Sequence, residues 1–273
     1  MKRQAAFRAR LATAAGVLTM AILSITDSAA DTDALPVFDK EQVRVKEDWL
    51  VVPVEAKTGV YRTENRDEIV LSNGLISRTF RLAPNGATVG LDNLMTREAM
   101  LRGVKPEARV TLNGVEFNVG GLLGQRNYAY LTPEWIEALM NDPDAFQCSG
   151  YEVGDTQKRF PWERKRYAAD LPWPPPGKRL TLNFTADADL IDLLFAGQAS
   201  EKGESNKLGD ISVAVHYEMY DGIPLLAKWL TITNGSNEEV KLDTFTSESL
   251  AAVEMSSTVG ADTSGYLYPN IVA

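Results

Sequence analysis

The side chains best equipped for recognition chemistry lie between residues 158 and 177. Lys158-Arg159-Phe160-Pro161-Trp162-Glu163-Arg164-Lys165-Arg166-Tyr167 sets five cations among three aromatic rings, and Leu171-Pro172-Trp173-Pro174-Pro175-Pro176-Gly177 adds a rigid, proline-rich segment. Indole faces stack on sugar rings, and guanidinium forks offer fixed donors to hydroxyls or acidic groups. Trp162, Arg164, Arg166 and Trp173 are therefore the candidate saccharide contacts. Two other readings fit the same composition. One is a solvated surface loop stiffened by its prolines. The other is an interface, in which this loop and a helix around Trp135 dock against a catalytic domain or partner subunit.

A different chemistry would need paired carboxylates. Glu218 and Asp221 flank Tyr220 where a strand ends in a turn, so they are the candidate acid pair if the sandwich itself hydrolyses glycosides. No other catalytic assembly is visible. His216 is the one histidine and Cys148 the one cysteine, too few for a zinc site and unable to form an internal disulfide. Glu218 is the only carboxylate near His216 on the same strand face. Cys148, beside Ala145 and Phe146, is expected to be a buried small hydrophobe. There is no G-x-S-x-G elbow, and Gly120-Gly121-Leu122-Leu123-Gly124 has neither phosphate-binding nor dinucleotide-binding spacing. No catalytic residue, metal or cofactor is expected, and the chain alone is expected to be inactive.

The elements that must position these residues read as strands. Ile211, Val213, Val215, Tyr217 and Met219 alternate with polar positions, so one face should line a core. After Tyr220-Asp221-Gly222-Ile223-Pro224, Leu226, Leu230 and Ile232 resume on one face until Asn234-Gly235. Asn73-Gly74 and Asn113-Gly114 likewise sit between alternating runs and predict hairpins. Residues 49–52, Trp-Leu-Val-Val before Pro53, fit a first or edge strand. One short helix is predicted near 133–140, with Thr132 as cap and Pro133 at its first position. The expectation is an all-β fold, a large antiparallel β-sandwich spanning residues 49–273.

Residues 1–30 read as a secretory signal peptide. Lys2, Arg3, Arg8 and Arg10 precede an apolar run at 11–25, and Ser28-Ala29-Ala30 supplies small residues for cleavage. The run is too short for a spanning helix, which needs about 20 residues. Residues 31–48 form a polar leader segment. Cleavage would remove four of the 28 basic and one of the 37 acidic residues, taking the formal charge from −9 to −12. That balance argues against nucleic acid as a partner. The expected location is secreted or periplasmic, with no membrane association once the signal is cut.

Three phrases carry a family resemblance: LSNGLISRTF (71–80), DNLMTREAMLRGVKPEARVTLNGVEFNVGG (92–121) and VHYEMYDGIPLLAKWLTITNGS (215–236). They look like the amino-terminal β-rich part of exported bacterial proteins described as α-galactosidases or melibiases, which are similar to glycoside hydrolase family 36. The resemblance spans roughly residues 65–250. It implies a supersandwich of two large facing antiparallel sheets and, after it, a (β/α)₈ barrel whose two aspartates do the chemistry. Such a barrel takes about 250 residues, and neither aspartate has a counterpart here. The strand-like phrase at 265–273 ends without a cap or polar tail, so the expectation is a non-catalytic sandwich that binds saccharide or supports a missing carboxyl-terminal catalytic domain.

Overall fold

Ile211, Val213, Val215, Tyr217 and Met219 all point inward and are at most 1% exposed, as their alternation demands. They belong to a computed structural model that describes residues 32–41, 48–65, 67–128, 131–166, 172–187, 190, 211–236 and 238–252. Residues 1–31, which include the expected signal peptide, residues 42–47 of the expected leader, most of the polar stretch at 187–207 and the phrase at 265–273 lie outside the described residues.

In chain order, β1 (Gly59–Arg62), β2 (Glu68–Ser72), β3 (Ile76–Arg81), β4 (Ala87–Asn93) and β5 (Glu98–Ala99) form a sequential antiparallel meander. β6 (Leu101–Gly103), β7 (Ala108–Leu112), β8 (Val115–Val119) and β9 (Leu122–Leu123) follow, then α1 (Pro133–Glu137) and β10 (Met140–Asn141). β11 (Gln147–Asp155), β12 (Gly177–Thr185), β13 (Ile211–Tyr220) and β14 (Leu226–Asn234) make a second antiparallel sheet in that order. β15 (Leu242–Thr246) pairs with β7 beside β8, β16 (Ala251–Ala252) pairs with β6, and β10 pairs with β9. The result is all-β, antiparallel and sandwich-like, with one short helix.

The core lies between the inner face of β11–β13 and side chains from β1–β3, β7 and β8. Leu180, Leu182 and Phe184 join the β13 row, and Ile69, Leu71, Phe80, Val110 and Val119 meet them from the other side. Each such side chain stabilises the fold by about 1.5–3 kcal/mol through burial.

Local signals succeed where the chain needs nothing else. Asn113 (φ 49°) and Gly114 (φ 82°) turn β7 into β8. Thr132 accepts a hydrogen bond from the Trp135 amide, and Pro133 opens α1. The helix is shorter than 133–140: it stops at Glu137, and Leu139 enters a small satellite core.

Two expectations need correction. Residues 49–52 form a turn, because Asp48 accepts from the Leu50 amide through its side chain and from Val51 and Val52 through its carbonyl. Asn234-Gly235 does not close a hairpin. The Asn234 side chain accepts from Ser236 and donates to the Glu238 carbonyl, an Asx-type turn that sends the chain across to β7.

Asn73 departs more subtly. It sits in the β2–β3 turn, yet it is fully buried. Its amide donates to the carbonyls of Tyr220 (2.8 Å) and Ile223 (2.6 Å), clamping that turn to the β13–β14 turn.

Candidate functional site

The connection from β11 to β12 crosses the outer face of the second sheet, and the outward-facing residues of β13 hold it there. The Gln157 amide donates to Glu218 Oε1 at 2.9 Å. Arg159 reaches Glu218 Oε2 at 3.3 Å and the Tyr220 hydroxyl at 3.1 Å, while its guanidinium lies 4.1 Å from the Trp229 ring centroid. Tyr220 also donates to Glu218 at 3.0 Å. At the return end, the Thr156 hydroxyl donates to the Pro175 carbonyl (2.6 Å) and the Asp221 amide to the Pro176 carbonyl (2.9 Å).

This anchoring builds an aromatic tier. Trp173 packs between Phe160 (centroids 4.9 Å) and Trp162 (5.5 Å, planes 28° apart), and its indole N–H donates to the Phe160 carbonyl at 3.2 Å. Trp173 is thus the half-buried support, with Phe160 (49% exposed) and Trp162 (39% exposed) as the two outer rings. Arg164 and Arg166 are exposed residues of the same connection. Two of the four candidate contacts, Trp162 and Trp173, are therefore in direct contact with each other.

Glu218 and Asp221 go to different partners. Glu218 is 1% exposed and anchors the connection just described. Asp221 accepts from the Thr58 amide at 2.8 Å and pairs with Lys57 at 3.1 Å. Burial would raise the Asp221 pKa, but the Thr58 and Lys57 contacts outweigh it, so the carboxyl titrates below its usual range.

His216 is bridged by two hydroxyls, Thr181 at Nδ1 and Thr231 at Nε2, both 2.9 Å, and stacks on Trp229. Burial, with the nearby charge of Arg179, pushes its pKa down. Cys148 packs partly buried against the core, and burial pushes its thiol up to about 11, as expected of an inert small side chain. Among the described residues, no group of three or more His, Cys, Asp or Glu side chains is placed to hold a metal ion. No helix among them is long and apolar enough to cross a membrane.

The residues that sequence reasoning missed form an ionic cluster between the sheets. Arg78 of β3 donates to Thr88 Oγ1 (2.8 Å), to Glu248 Oε2 (2.7 Å) and to Glu107 Oε2 (3.3 Å). Glu107 also receives the Thr88 amide and the Tyr217 hydroxyl. Lys228 of β14 donates to the Glu107 carbonyl and to Glu248 at 3.0 Å. Arg78, Glu107 and Tyr217 are at most 1% exposed, while the Glu248 side chain is 33% exposed. Burial pushes the Lys228 pKa down against the pull of Glu107, and burial with the Glu107 charge drives Tyr217 well up.

Such clusters often mark active centres. Here two cations meet two anions and the hydrogen bonds close on one another, so the arrangement fixes the sheets' relative placement. A signal was present. Arg78 shares strand parity with buried Phe80, and Lys228 occupies the gap in the Leu226, Leu230, Ile232 face.

The cluster makes the fold acid-sensitive. Burial alone would raise the Glu248 pKa, but Arg78 and Lys228 override it and hold it down. A depressed folded-state pKa contributes stability above the unfolded value of about 4.3, lost as pH falls through the folded value. Urea midpoints are therefore expected to drop below about pH 5, and Glu248→Gln to flatten that acid slope. An unchanged slope in the variant would show that Glu248 is not linked to acid unfolding.

No family model matches the chain, and no curated protein or solved structure matches it. What the fold defines is a class: an antiparallel all-β sandwich-like protein with an anchored aromatic tier on one outer face.

Proposed function

We propose that this chain is a non-catalytic β-sandwich module of an exported carbohydrate-active protein, similar in kind to the amino-terminal part of family 36 glycoside hydrolases, and that it holds saccharide on its aromatic tier. The observation that carries the reading is the stacking of Trp162 on Trp173 over a connection pinned by Glu218. A ring fixed before the ligand arrives loses little entropy on binding, and a half-exposed indole suits the apolar face of a pyranose. The basic start, apolar run and small residues at 28–30 support export.

The tier alone offers a small contact, so affinity is expected in the millimolar range, about −4 kcal/mol. Titration of α-linked galacto-oligosaccharides against tryptophan fluorescence measures it. Trp162→Ala should weaken binding at least tenfold while circular dichroism stays unchanged. If no sugar alters the emission, the reading is overturned.

A second reading is favoured by β15, where every residue is exposed and Phe245 reaches 61%. An aromatic displayed on an edge strand suits docking to a catalytic domain or partner subunit. The hydrolase alternative would need Glu218 freed from its anchoring bonds. Turnover of an aryl α-galactoside that Asp221→Asn abolishes would establish it.

A further inference from the structure

The outer face of the β11–β14 sheet carries a polar row beside the aromatic tier. Strand register sets Glu152, Thr181, His216 and Trp229 side by side across all four strands. The next row on one side is Gly150, Asn183, Ala214 and Thr231, and on the other Gly154, Arg179, Glu218 and Ala227. Glycine or alanine at four of these flanking positions leaves the central row standing clear. At Gly154 an added Cβ would lie 3.2 Å from the Arg179 guanidinium, so that side chain would have to shift slightly.

The row is already ordered. Asn183 donates to Glu152 at 3.1 Å, and the Thr181–His216–Thr231 bridge holds the imidazole upright against Trp229. Arg159 joins row to tier, since it lies over Trp229 and is the residue before Phe160. Trp229 is occupied by these two neighbours, so the polar groups, not its ring, face outward for recognition. Glu152 and Thr231 are exposed, and Asn183, Arg179 and His216 are half-buried. In the row and its flanks the charged residues are Arg159 and Arg179 with Glu152 and Glu218, so the row carries no net charge, unlike the basic connection beside it with Lys158, Arg164, Lys165 and Arg166 against Glu163. A balanced row suits uncharged ligand units.

We propose that this row is a second subsite, continuous with the tier through Arg159, that takes further units of a neutral oligosaccharide. Sugar hydroxyls pair with Glu152, Asn183, Arg179, Thr231 and the His216 bridge, while the ring at Trp162 anchors the other end. The proposal rests on the saccharide reading of the tier.

Because His216 is the only histidine, its imidazole gives one unambiguous nitrogen–proton NMR signature. In titrations with α-linked galacto-oligosaccharides of two, three and four units, the tryptophan signal should respond to all of them. The His216 resonances should move only with the longer ones, and affinity should rise about tenfold from two units to four. Glu152→Ala with Thr231→Val, both exposed positions, should return the four-unit affinity to the two-unit value and leave the two-unit response intact. A fluorescence response with no length dependence and a silent His216 would overturn the second subsite and spare the tier. A preference for uronate-containing oligomers over neutral ones would overturn the neutral ligand class. No response from either probe would overturn the tier reading and this one with it.

Discussion

Arg78→Met is expected to destabilise the protein by about 3–5 kcal/mol, the loss caused when one partner of a buried ion pair is removed. Methionine fills much of the arginine's space, so the loss comes from charge more than from a cavity. Glu107 would keep the Thr88 amide and the Tyr217 hydroxyl, but its carboxylate would stay 1% exposed with only Lys228 to share between it and Glu248. Against a typical domain stability of about 5–15 kcal/mol this is a large fraction. At this chain length the thermal midpoint should fall by roughly 10 °C. The double variant Arg78→Met, Glu107→Gln restores charge balance, leaving Lys228 with Glu248. It should recover at least half of the loss in urea or thermal unfolding. A single variant within about 1 kcal/mol of the parent would mean that the cluster is hydrated in solution.

Gly120→Ala should be nearly as damaging, for a backbone reason. Gly120 has φ 62°, and a Cβ there would stand 2.2 Å from the Gly86 carbonyl oxygen and 2.7 Å from the Phe184 ring. That carbonyl accepts from the Gly121 amide at 2.8 Å, tying the β3–β4 turn to the end of β8. Left-handed geometry costs a non-glycine residue about 1–2 kcal/mol; displacing backbone that is itself hydrogen-bonded should bring the total to about 3 kcal/mol or more. Gly114→Ala is the control, because Gly114 also has positive φ (82°) but nothing within 4 Å of the added carbon. Its loss should stay near about 1 kcal/mol. Equal losses in the two variants would show that the close approach at Gly86 yields freely.

What the amino-acid order determined by itself is the set of features that depend on near neighbours along the chain. Alternation from Ile211 to Met219 dictated a strand with one buried face. Asn113-Gly114 dictated a tight reversal, and Thr132-Pro133 a helix start. The antiparallel all-β class came from such runs and turns. The aromatic and basic composition of 158–177 was equally plain, but composition does not say which rings touch.

Tertiary structure decided everything that depends on a distant partner. Asn234-Gly235 has hairpin chemistry, yet the next strand bonds to β7, more than a hundred residues away, because pairing is settled by the ladder that forms and not by the turn preceding it. Glu218 looked like a catalytic carboxylate at a strand end; only the crossing of 157–159 over β13 turns it into an anchor. Trp173 became a support and Trp162 a displayed face through packing alone. The ionic cluster is the sharpest case. Arg78, Glu107, Tyr217, Lys228 and Glu248 come from five separate stretches, and each is ordinary in its own. A buried charge is tolerable only beside its opposite, and that condition is met in three dimensions by residues up to 170 positions apart.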